Sequence, residues 1–259
     1  MGRFLPALSC LFGVIGLLLF FSVANAKAED HLPFEVGERI TYQLKWGVIP
    51  AGKVVLEVLP HTTIDGRPAR HFRMTIRSNG FIDRIYKVRS YIEGYTDLGI
   101  DHSLYYRKKQ REGSSKRDIE VRFDRQKMTS QYHNLRKMGP RAPISIPEGS
   151  FDPFSVIYYC RLLDYDGVSR VERPVTDGKK SVTARLDNRG RQDLVIKDKS
   201  YDTYLLEPDI KHISGVFKKS KNANLFIWMS TDKRRIPVKL KSKVIVGSFT
   251  AEMISYQAK

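Results

Sequence analysis

Apolar and polar residues alternate with a period of two along most of this chain, beginning where Ile40, Tyr42, Leu44 and Trp46 fall on one side and Thr41, Gln43 and Lys45 on the other. That spacing predicts a strand with one buried face. Residues 47–52 hold Gly47, Pro50 and Gly52 and break the pattern, and Val54, Leu56 and Val58 resume it, so the opening stretch predicts an antiparallel hairpin. β-rich runs follow at 71–77, 82–95 and 104–111. After a turn at 112–115, residues 117–123 put Ile119, Val121 and Phe123 inward, and 127–135 is the next strand. Connections this short imply an antiparallel meander and exclude strand–helix–strand crossovers.

Residues 139–149 contain Pro140, Pro143 and Pro147, which keep the chain extended. The stretch reads either as a domain boundary or as a rim segment, and the unchanged composition on either side favours one domain. A helix is predicted from Asp152-Pro153, an N-cap followed by proline in the first turn, to about residue 163. Only Ser155 and Arg161 interrupt its apolar interior, so most of its circumference must be enclosed. A flat sheet covers one face only, whereas a strongly curved sheet can surround the helix.

Further strands are expected at 167–175, 181–187, 192–197 and 203–207, with turns at 177–178 and 188–190. The run 225–229 is apolar throughout and reads as a central strand. Beyond a charged turn at 231–235, Ile236, Val238, Leu240, Val244 and Val246 form one face of a long strand, and Lys239, Lys241 and Lys243 form the other. Gly247 marks a final turn or bulge before Phe249, Ala251 and Met253. The expected fold is therefore mainly β: a single antiparallel, strongly curved sheet of about ten strands, a half-barrel or incomplete barrel, with one apolar helix in its concave face.

Residues 1–26 add a different kind of segment. Arg3 is followed by the apolar run 8–23 and then by Ala24-Asn25-Ala26, the pattern of a cleaved signal peptide, so 1–26 is expected to be removed and 27–259 to form the single β-rich domain. That reading places the protein in the periplasm, with no transmembrane span after cleavage. Cys10 would leave with the leader, so Cys160 would be alone, and its place in the apolar helix predicts a buried, inert thiol.

Lys and Arg outnumber Asp and Glu by 45 to 28, a net charge of +17 of which the leader carries only Arg3. A basic surface attracts polyanions. Outside the cytoplasm these are anionic lipid, lipopolysaccharide and wall polymers, not nucleic acid. The alternative is ordinary solubilising charge spread over many segments. The six histidines are scattered, with no HExxH or His-x-His spacing, so no metal ligand set is legible. A nucleophile elbow, a P-loop and a dinucleotide-binding glycine pattern are also missing. No catalytic residue, metal or cofactor is therefore assigned, and the protein is expected not to be an enzyme.

The candidate ligand-binding residues are Trp46, Phe154, Ile157, Trp228, Lys239, Lys241 and Lys243. The aromatic and aliphatic groups would line an apolar pocket between helix and sheet, and the lysines would receive an anionic headgroup. Each has a plainer reading: core packing for the apolar residues, and a solvated strand face protected from edge pairing for the lysines.

Three stretches, VGERITYQLKWGVIPAGKVVLEV, FDPFSVIYYCRLLD and LFIWMSTDKRRIPVKLKSKVIVGSFTAEM, resemble in order the bacterial family of domain of unknown function 3108. The last stretch is also similar in pattern to the closing hairpins of LolA/LolB-type periplasmic lipoprotein carriers. That second resemblance implies an incomplete barrel holding a helix and an acyl-chain pocket, and neither resemblance brings a catalytic residue. The functional expectation is a periplasmic, non-enzymatic binder or carrier of an amphipathic envelope component such as lipid, lipopolysaccharide or a lipoprotein acyl chain. The alternative is a structural or scaffolding envelope protein that meets polyanions, or other envelope proteins, through its basic surface.

Overall fold

The alternation is realised as β1 (Arg39–Trp46), β2 (Ile49–Ile64), β3 (Arg67–Ser78), β4 (Arg89–Thr96), β5 (Ser103–Glu112), β6 (Ser115–Asp124), β7 (Thr129–Asn134) and β8 (Ile144–Ser145) in the first half. The second half supplies β9 (Arg170–Thr176), β10 (Ser181–Ile196), β11 (Lys199–Pro208), β12 (Asn224–Ser230), β13 (Pro237–Val244) and β14 (Gly247–Gln257). Two short helices, α1 (Gly80–Tyr86) and α2 (Ser155–Arg161), complete the elements. The computed structural model describes residues 32–209, 224–244 and 247–258. The expected leader with Cys10 and its cleavage point after Ala26, and Val246, lie outside the described residues.

All fourteen strands belong to one antiparallel sheet in the order β8-β7-β6-β5-β4-β3-β2-β1-β14-β13-β12-β11-β10-β9. The sheet is open, with β8 and β9 at its edges. β1 lies near the middle, hydrogen-bonded to β2 on one side and to β14 on the other, so the two ends of the fold are laddered together. The count exceeds the expected ten because several connections take only two residues. Asp65-Gly66, with φ of 48° and 79°, is such a turn, and both angles suit the twist of a tight hairpin.

Three local expectations are corrected. Residues 82–95 are not one strand: the Asn79 side chain accepts the Ile82 amide at 3.0 Å and caps α1, and Ser78 and Arg89 hold Asp83, so capping overrides the β preference of Ile82, Ile85 and Tyr86. Residues 188–190 are not a turn but an irregularity inside β10, where the register against β11 shifts between Asn188 and Arg191 and Gly190 takes φ of 96°. The regular part of α2 is 155–161, shorter than the expected 152–163, with turn geometry on both flanks.

The start signal of α2 nevertheless operates as its residues suggest. Asp152 Oδ1 accepts the amides of Phe154 and Ser155 at 2.8 and 2.9 Å, and Ser103 Oγ donates to Oδ2 at 2.7 Å. Burial raises the Asp152 carboxyl pKa, against the pull of these donors. Gly94 of β4 lets the helix seat there, since a Cβ at that position would lie 2.2 Å from Ser155 Oγ. Inside the curve, Tyr158 stacks on Phe72 at 3.8 Å and meets Phe34 and Phe154 edge-on at 5.2 and 5.7 Å. These rings join Ile40, Tyr42, Val121, Val238 and Met253 in the main core, so the helix fills the concave face as its composition requires.

The two polar residues of that helix are among its most buried. Arg161 makes a bidentate pair with Glu38 at 2.6 and 2.7 Å, each side chain 1% exposed, and also donates to the carbonyls of Pro33, Arg234 and Arg235. One guanidinium thereby ties α2 to the segment before β1 and to the β12–β13 turn.

Residues 139–149 lead into one edge of the sheet. They contribute β8 to the same sheet, and the chain beyond them reaches across its open side. The Ser103 amide at the start of β5 donates to Ser150 O at 3.0 Å, and Phe151 exchanges hydrogen bonds with Pro174 and Thr176 of edge strand β9, both at 2.9 Å. Outside, cross-strand register lines up Arg39, Glu57, Arg73, Glu93, Arg107, Glu120 and His133 from β1 to β7, an alternating charge row with favourable neighbours.

Candidate functional site

The register between β12 and β13 sorts the expected site residues. Phe226 pairs with Lys241, Trp228 with Lys239 and Asn224 with Lys243, so these side chains share one face by register, opposite in parity to Leu240; Trp228 and Leu240 both pack against the main core. Leu205 pairs with Trp228 and extends the apolar surface onto β11. Together with Gln192, Gly247 and Ser248 these residues, Lys239 excepted, line a groove of about 690 Å³. The Trp228 indole N–H donates to Gln192 Oε1 at 2.8 Å, and the Phe226 and Trp228 rings lie 6.3 Å apart.

The three lysines are not equivalent. Lys239 Nζ lies 3.1 Å from Glu252 Oε1, and Lys45 Nζ reaches the other oxygen of that carboxylate at 2.5 Å. Burial pushes the Glu252 carboxyl up, but bonds from Lys45 and Lys239 outweigh it and leave the pKa lowered. Lys239 thus shares one carboxylate with Lys45, its ammonium 5.7 Å from the Trp228 ring. Lys241 and Lys243 are exposed, and among the described residues neither closes an ion pair. The arrangement is an apolar floor with two uncompensated cations beside it, a shape suited to an amphipathic anion and lacking any nucleophile–base pair.

The structure therefore brings Trp228, Lys239, Lys241 and Lys243 together, sets Trp46 against Gly247 at the groove's margin, and places Phe154 and Ile157 elsewhere. Phe154 is 2% exposed and Ile157 is partly buried, both packed in the concave core. Trp46 sits at one end of β1, stacked on Phe249 with centroids 6.4 Å apart. None of the three described cavities is lined by α2, because Tyr158, Phe154 and their partners occupy the space where a pocket beside the helix was expected. Gln192, Leu205 and Phe226 were missed as site residues. The parity of Phe226 and Trp228 within 225–229 was the available signal, hidden because an all-apolar strand reads as buried on both faces.

Cys160 is only partly buried as a residue and packs on the smaller cluster of Tyr165, Leu186, Tyr204, Leu206 and Met229. Burial pushes its thiol pKa up to about 12. The nearest approach to acid–base geometry lies on the outer face, where His71 Nε2 and Glu93 Oε1 are 2.8 Å apart. Tyr91 and Tyr95 beside them are held neutral, the Tyr95 phenol pushed up to about 12 by burial and by Glu93. Among the described residues no cluster of His, Cys, Asp and Glu has the arrangement of a metal site, and no helix is long and apolar enough to cross a membrane.

With the fold and groove defined, a family model described as "Protein of unknown function (DUF3108)" matches residues 41–254. The chain belongs to that family. The match runs from β1 to β14 and so includes the strands that build the groove. Among solved structures, the chain is similar to the crystal structure of a beta-barrel-like protein of domain of unknown function DUF1849 from Brucella abortus, with a TM-score of 0.54 and 10% identity over 87% of this chain and 99% of that one. At that identity the likeness concerns the fold alone, and it brings no ligand with it. No curated protein matches the chain.

Proposed function

We propose that this DUF3108 protein is an exported, non-enzymatic binder of amphipathic anions of the cell envelope, and that the β11–β14 groove is where it holds them. The observation that carries the reading is the pairing of an apolar floor, Leu205, Phe226 and Trp228, with the two uncompensated ammonium groups of Lys241 and Lys243. An acyl or aryl moiety would lie on the floor and its headgroup would meet the lysines. Ordinary solubilising lysines need no aromatic floor, which favours binding over a purely structural role. Export is supported by the leader pattern ending at Ala26.

The test uses the chain's two tryptophans. In a Trp46→Phe variant, Trp228 alone reports on the groove during titration with lysophosphatidylglycerol below its micelle concentration. A saturable shift in emission is expected, weakened about ten-fold or more by Lys241→Ala with Lys243→Ala, each cation contributing about 1 kcal/mol. An unchanged emission, or binding indifferent to both lysines, overturns the reading. N-terminal sequencing of protein from an envelope fraction should begin at Lys27; retention of Met1 would overturn the processing.

A further inference from the structure

Because neighbouring strands are all antiparallel, the connections that follow odd-numbered strands lie at one end of the sheet. That end is unusually apolar for a surface. Val48 in the β1–β2 turn is 91% exposed, and Ile85 and Phe81 of α1 are 68% and 57% exposed, with Ile49 and Tyr86 also out in solvent. Phe81 and Ile85 are four residues apart and so project from the same side of their helix. α1 has no buried residue of its own, so it does not serve the core.

These tips are joined into one surface. The Asn79 side chain donates to Pro50 O at 2.6 Å and its amide to Ala51 O at 2.9 Å, which fixes the start of α1 to the β1–β2 hairpin. At the other end of the helix, the Gly113 amide donates to Lys87 O at 2.9 Å, and Tyr86 packs over Gly113 so closely that a Cβ there would lie 2.6 Å from its ring. The β1–β2 turn and α1 therefore present their apolar groups as a unit, braced by the β5–β6 turn.

A basic collar surrounds the unit. Lys53 and Arg77 are cross-strand partners just below the tip, Arg84 and Lys87 flank it, and Lys116 and Arg117 follow the β5–β6 turn. All six are exposed, and among the described residues none of them closes an ion pair. The one carboxylate on α1, Asp83, is held by Arg89 at 2.5 Å. We propose that this end docks on an anionic lipid bilayer, with Val48, Phe81 and Ile85 entering the headgroup–acyl boundary and the collar meeting lipid phosphates. Exposed apolar side chains ringed by uncompensated cations match the layering of such an interface, where acyl chains lie beneath a negative surface. A neutral protein partner would leave the collar unpaired.

The test is co-sedimentation of the protein, as recovered from the envelope, with vesicles of phosphatidylcholine alone or with about one-third phosphatidylglycerol. The expected result is binding at least about ten-fold tighter to the anionic vesicles, and a loss of about ten-fold or more in a V48S/F81S/I85S variant whose circular dichroism and melting match the parent. In the same variant, Trp228 should still respond to lysophosphatidylglycerol as in the parent, which separates this surface from the groove. Equal binding by the parent and the triple variant overturns the proposal, as does association of two copies through this end in place of vesicle binding.

Discussion

Replacing Arg161 by Met removes the guanidinium that joins α2, the segment before β1 and the β12–β13 turn while keeping most of the aliphatic volume. The Glu38 carboxylate would stay 1% exposed with both of its charge-assisted bonds gone, and the carbonyls of Pro33, Arg234 and Arg235 would lose their shared donor. Breaking a buried pair from one side costs about 3–5 kcal/mol, because the remaining charge has no partner. Against a usual total of about 5–15 kcal/mol, that is a large fraction of the stability. Urea unfolding followed by circular dichroism should show a lower midpoint at unchanged slope, and the melting temperature should fall by about 6–20 °C for a chain of this size. Glu38→Met in the same background should recover part of the loss, because two apolar side chains replace the pair without an orphaned charge. A loss below about 1 kcal/mol, or single-variant costs that simply add in the double variant, would refute the reading of Arg161 as the tie between these segments.

Gly94→Ala puts a methyl carbon 2.2 Å from Ser155 Oγ unless α2 moves away, and the displaced helix should cost about 1–3 kcal/mol in urea unfolding; a neutral result would remove the close-approach argument. Burial pushes the Glu93 carboxyl up, but His71, Tyr91 and Arg73 together hold it below its ordinary value, so its stabilisation is complete above the unfolded carboxylate pKa and is lost as pH falls through the lower folded value. Glu93→Gln should therefore flatten the acid limb of melting temperature against pH, and an unaltered limb would count against the pairing. The Cys160 thiol, pushed up to about 12 by burial, should react with an aromatic disulfide reagent at least about a hundred-fold more slowly in the folded protein than in urea, and equal rates would show it unprotected.

Elements dictated by near neighbours were legible without coordinates. Period-two alternation placed the opening hairpin and put Ile40, Tyr42, Val121 and Val238 in the core. Asp152-Pro153 announced a helix whose apolar circumference demanded a curved host, and Tyr158 inside the sheet meets that demand. Such signals are local: side-chain parity, capping and turn geometry act over a few residues. Tertiary structure alone decided the rest. Pairing of β1 with β14, the alternating charge row across β1 to β7 and the meeting of Arg161 with Glu38, 123 positions earlier, depend on register between distant segments. A shift of one residue would send every side chain of a strand to the opposite face. For the same reason the sequence could name Trp228, Lys241 and Lys243 but not show that they form one groove with Gln192 and Leu205, or that Lys239 is tied to Glu252 instead, while Phe154 and Ile157 face inward and Trp46 stands at the end of its strand. Long-range pairing converts a one-dimensional alternation into particular neighbours, and that conversion is a property of the whole sheet, not of any stretch within it.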